Sequence, residues 1–165
     1  MKTKKIILGI LVIAWMIVIF MFSQQNAVNS QNTSDKVSKK IVDTAAAITN
    51  KEITKQERKN IVKDIRFTAR KTAHFTLYFV LGILVYLLLN ECNVSKKIIL
   101  SLIICIIYAT SDELHQLFIN QGTAKVFDVF IDTLGSLVGI ILCNLVKLVV
   151  AKIKKNAIID GNLGG

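Results

Sequence analysis

The sequence predicts an all-α integral membrane protein with four transmembrane helices. Three observations lead there: four long apolar runs, an apolar fraction of 53%, and no proline in 165 residues. A mean hydropathy of +0.54 is too high for a soluble domain of this size. The net charge of +10 lies outside the apolar runs, so it reads as membrane topology and attraction to anionic lipid or polymer. No nucleic-acid-binding signature accompanies it, and nucleic acid is not an expected partner. Cys92, Cys105 and Cys143 are odd in number and scattered. That spacing argues for small buried hydrophobes over a disulfide framework or a zinc site.

The first run, Ile6–Phe22, follows Lys2, Lys4 and Lys5 and carries no charge over 17 residues. A signal peptide has a shorter core and an A-x-A-like end; this run ends in Ser23-Gln24-Gln25-Asn26, which predicts an uncleaved anchor. Trp15 within it reads as packing or lipid contact. Residues 24–72 form a 49-residue hydrophilic connection with 11 Lys or Arg and 5 Asp or Glu. Thr33-Ser34 is expected to cap a helix through Ile48, with Val37, Ile41 and Ala45 on one stripe. Thr54-Lys55-Gln56-Glu57 fits a capping box that launches a second helix, with Ile61, Val62 and Ile65 on its apolar side. The long first outer loop is thus expected to hold two amphipathic helices, lying on the membrane or on the bundle.

The remaining spans are expected at about 73–89, 98–118 and 126–150. The third, at 21 residues, is about 31 Å long as a helix, enough to cross a bilayer. Residues 1–155 then form one membrane domain and 156–165 a short tail. Four spans put both termini on one side. The lysines before the first span favour the cytoplasm, because short flanks weigh most in setting orientation. The total count opposes this: 12 positive residues lie in the 24–72 connection and Lys125, and 9 on the other side.

With that topology one polar cluster gathers at the outer end of three helices. Arg66, Arg70, His74 and Tyr78 are spaced by four and form a stripe entering the membrane, with Lys71 beside it. The third span ends in Asp112, Glu113, His115 and Gln116. Asp112, His115 and Gln116 share a face, and Glu113 lies about a quarter-turn or more away. Asp128 and Asp132 open the fourth span, and Gly135 and Gly139 follow on their face as G-x-x-x-G, which permits close helix approach. A bulky residue at Gly135 is expected to separate the third and fourth spans. Ionisable groups at such depth are costly and face the interior.

The chain uses 18 Lys and 3 Arg, so Arg66 and Arg70 are not default choices; guanidinium pairs bidentately with carboxylate or phosphate. Two readings stay open. The cations pair with Asp112, Glu113, Asp128 and Asp132 as an ion network, or they floor a site for an anionic envelope ligand. The ligand-binding set is then Arg66, Arg70, Lys71, His74, Tyr78, Asp112, Glu113, His115, Gln116, Asp128 and Asp132. His74, Asp112, Glu113 and His115 have the chemistry for acid–base catalysis, with no role assigned. Neither histidine belongs to an H-x-x-x-H or H-E-x-x-H pair, so no metal or other cofactor is expected.

Three stretches in order, Arg70-Lys71-x-x-His74-Phe75-x-x-Tyr78-x-x-Leu81-Gly82, Ser111-Asp112-Glu113-x-His115-Gln116-x-Phe118 and Asp128-Val129-x-x-Asp132-Thr133-x-Gly135, resemble the VanZ-like family. The end of the first span, Trp15…Phe20-x-Phe22-Ser23-Gln24, does so too. The resemblance implies a bacterial cytoplasmic-membrane protein, whose best-known relative confers low-level resistance to teicoplanin-type lipoglycopeptides. Two positions depart from the family. Gly122-Thr123 stands where Gly-Arg is common, and Leu77 where an acid often precedes the tyrosine. The expected function is an envelope factor whose outer-leaflet polar site engages anionic wall or lipid-linked material, lowering lipoglycopeptide access. The alternatives are a membrane-embedded hydrolase or transferase on such material, and a non-catalytic structural or partner-binding protein.

Overall fold

The computed structural model describes residues 2–28, 54–120 and 126–163. They form four helices: α1 (Lys2–Val28), α2 (Lys55–Glu91), α3 (Lys97–Asn120) and α4 (Val126–Leu163). Each holds a stretch long and apolar enough to cross a membrane. The chain is a multi-pass membrane protein.

Side-chain pairs set the directions. Met16–Tyr108 and Ser23–Gln116 advance together along α1 and α3, which therefore run parallel. Lys71–Asp128, His74–Asp132 and Tyr86–Asn144 do the same along α2 and α4. The outer surface is apolar: Ile10 is 61%, Ile107 64% and Val146 54% exposed. Such exposure suits lipid and would not suit water. The interior is thin. Val12, Ile19, Tyr78, Leu81, Val85, Cys105 and Ala109 form its core, drawn from α1, α2 and α3.

The fourth helix joins through close backbone approach. A Cβ built at Gly135 would fall on the carbonyl oxygen of Phe75, one at Gly139 on that of Phe79, and one at Gly82 on that of Ser136. Lipid offers no hydrophobic drive between helices, so van der Waals contact at small residues holds such a pair together. The sequence predicts the third span as the partner of Gly135; the structure places α2 there. The glycine face of α4 is the face that carries Asp132 and Ser136 towards α2, while α3 packs beside it.

The first expected amphipathic helix, 33–48, lies outside the described residues. The second begins at the expected cap: Thr54 Oγ1 accepts from Glu57 N–H, and the Glu57 carboxylate accepts from Thr54 N–H. It is not a separate element. No proline or glycine intervenes before Gly82, so the helix runs unbroken into the second span. At 37 residues α2 is about 55 Å long and outruns the roughly 30 Å hydrocarbon layer. α4, with 38 residues, likewise continues through most of the segment read as a tail. Between α2 and α3 the chain reverses at Asn93, whose φ of 58° is one asparagine tolerates, and Val94 N–H closes on Leu89 O at 3.1 Å.

Candidate functional site

The stripe on α2 enters a buried polar cluster to which all four helices contribute. Lys71 pairs with Asp128 of α4, and its ammonium also lies 5.2 Å from the Phe67 ring centroid and 5.8 Å from that of Phe127. One turn deeper, His74 Nδ1 stands 3.5 Å from Asp132 Oδ1, and both residues are buried. Arg70, the residue before Lys71, turns towards α3 and donates from Nη2 to Gln116 Oε1 at 3.0 Å. Gln116 Nε2 in turn donates to Ser23 Oγ of α1 at 2.5 Å and to Asp112 Oδ2 at 3.4 Å. One amide thereby ties α1, α2 and α3 together.

Tyr78 closes the inner end of the stripe. It is fully buried, its ring centroid lies 6.1 Å from that of Tyr108, and Asp112 and Asp132 both act on it electrostatically. Among the described residues its hydroxyl has no hydrogen-bond partner, nor do His74 Nε2 and Asp112 Oδ1. Unused polar capacity at this depth is unusual, because a buried group without a partner costs about 1–3 kcal/mol.

The third helix divides its polar residues differently from the wheel drawn on the sequence. Glu113, placed a quarter-turn or more from the face of Asp112, His115 and Gln116, is nonetheless buried with Asp112. His115 stacks against Phe20 of α1 at a centroid distance of 4.7 Å, away from the His74–Asp132 pair. Arg66 is half-buried one turn before Arg70. The cleft bounded by Arg70, Lys71, His74, Asp128, Ile131 and Asp132 is too narrow to admit a water molecule, and Asp112 does not line it. Among the described residues, no three His, Cys, Asp or Glu side chains are placed to hold a metal ion.

A model of the VanZ/LLP1 family matches residues 8–147. The chain belongs to the VanZ/LLP1 family. No curated protein and no solved structure matches it significantly. The VanZ/LLP1 match takes in every polar residue of the cluster and ends at Lys147, within α4. Of the two departures from the VanZ-like pattern, Gly122-Thr123 lies outside the described residues. Leu77 occupies an apolar position: its side chain packs on the core, and its carbonyl accepts from Trp15 Nε1 at 2.9 Å.

Several contributors escape a reading of the sequence. Ser23 reads there as the end of the first span and Trp15 as packing or lipid contact, with no hydrogen-bonding role for either, yet Ser23 Oγ accepts from Gln116, Trp15 donates to α2, and Tyr108 donates to Met16 O at 2.6 Å. Gly82 had a signal. It is the next member of the four-residue series Arg66, Arg70, His74, Tyr78, so it had to face the same interior as they do.

Proposed function

We propose that this VanZ/LLP1 member is a bacterial envelope protein that binds anionic, lipid-linked wall material through the polar cluster and so lowers access of teicoplanin-type lipoglycopeptides. The observation that carries this reading is the unspent hydrogen-bonding capacity of buried Tyr78, His74 and Asp112 beside a cation, Arg70, that no carboxylate neutralises among the described residues. Arg70 bonds to a neutral amide and keeps donors for a phosphate or carboxylate. An open apolar groove of about 500 Å³ runs next to the stripe, between Phe22 of α1 and Ala69, Thr72, Ala73, Thr76 and Leu77 of α2. A groove for a chain beside a cation for a headgroup fits an amphiphilic anion better than a soluble one. The lysines before α1 support an orientation with both termini in the cytoplasm and the cluster outside.

A hydrolase or transferase acting on the same material is the second reading, favoured by the His74–Asp132 pair, which has the parts for acid–base work. Cells expressing the protein should tolerate more teicoplanin-type antibiotic, and Arg70→Gln or Tyr78→Phe at wild-type protein levels should abolish the gain. Full protection by both variants would refute the binding site. Purified protein that turns over a polyprenyl phosphate-linked probe, with His74→Gln inactive, would replace binding with catalysis.

A further inference from the structure

At the end of the bundle opposite the cluster, we infer a binding site for the phosphate of an anionic lipid headgroup, formed by Lys97 of α3 and Lys147 of α4. The two ammonium groups lie 5.9 Å and 5.7 Å from the centroid of one ring, that of Tyr86 on α2. That ring is almost wholly buried, and its hydroxyl is fixed by donation to Asn144 Oδ1 at 2.7 Å. Lys97 Nζ is held by Asn90 Oδ1 at 2.8 Å. The two cations therefore converge on a rigid platform from separate helices, and among the described residues neither meets a carboxylate.

Their placement sets them apart from the other lysines at this end. Lys2, Lys4, Lys96, Lys152, Lys154 and Lys155 are exposed, as expected of solvated flanks; Lys5, Lys97 and Lys147 are half-buried, and of these three Lys97 and Lys147 share the Tyr86 ring. Lys97 is also the first residue of α3, where a cation opposes the helix dipole, so helix stability does not account for it. A phosphate that reaches both ammonium groups gains the attraction of each. Basic pockets between helices at a membrane surface suit anionic lipid headgroups.

The test uses the full-length protein in a neutral detergent, titrated separately with short-chain phosphatidylglycerol, phosphatidylcholine and inorganic phosphate. Thermal midpoint and lipid retention in native mass spectrometry are the readouts. Phosphatidylglycerol should raise the midpoint and phosphatidylcholine should not. The double variant Lys97→Gln/Lys147→Gln removes both charges, leaves a polar side chain one atom shorter, and should lose about thirtyfold in apparent affinity, the attraction of two lysines. Lys152→Gln/Lys154→Gln removes the same charge from exposed positions and should bind as wild type. If inorganic phosphate alone reproduces the shift, the same site takes a soluble phosphate. Equal losses in the two double variants, or an equal response to phosphatidylcholine, would overturn the site.

Discussion

Replacing Gly135 by alanine should loosen the α2–α4 pair, and the size of the effect follows from what the new methyl meets. Its Cβ would fall on Phe75 O and lie 3.1 Å from Phe75 C and 3.2 Å from Phe75 Cα. All three are backbone atoms, so no side-chain rotation relieves the clash. Restoring ordinary contact requires the helices to part by roughly 1 Å, and a gap of that order forfeits a quarter to a half of the dispersion energy across the seam. His74 and Asp132, already 3.5 Å apart, would be drawn beyond ion-pair distance. Overpacking of this kind costs about 1–3 kcal/mol. Better helix propensity returns about 0.5–1 kcal/mol, leaving a net loss of up to about 2.5 kcal/mol; a Gly9→Ala control shares that gain, so the two variants should differ by the full overpacking cost. Gly9 supplies the control, since a Cβ there has nothing within 4 Å. Unfolding titrations in mixed micelles of dodecyl maltoside and SDS would compare the two. If Gly135→Ala is as stable as Gly9→Ala, the close approach of α4 to α2 is not what holds the pair.

Tyr78→Phe removes a hydroxyl that has no partner among the described residues, so stability in the same titration should be unchanged or slightly higher; a loss above about 1 kcal/mol would mean that the hydroxyl is spent within the fold. Asp128→Asn should take from Lys71 its carboxylate partner and cost up to about 3–5 kcal/mol, while Lys71→Met with Asp128→Leu should recover most of it; additive losses in the double-mutant cycle would deny the pair. Lys59 and Cys92 lie at opposite ends of α2, both exposed. In a Lys59→Cys variant an impermeant thiol reagent should label position 59, and not Cys92, in intact cells. The reverse pattern would invert the proposed orientation.

Four membrane spans and the inward stripe on α2 were legible in the sequence by itself, because each rests on local terms. Apolar length decides a span, and a spacing of four decides a shared face. The Thr54–Glu57 cap is equally local and was equally legible. What the stripe meets was not, because helix pairing in lipid depends on shape rather than on polarity. Only the packed bundle turns Gly135 to Phe75 of α2, buries Glu113, and sends His115 to Phe20. Only there does Arg70 meet an amide while Lys71, its neighbour in sequence, takes the carboxylate of Asp128. Adjacent helix positions diverge by about 100°, so each cation finds its partner according to which helix stands in that direction. That arrangement is a property of the tertiary structure.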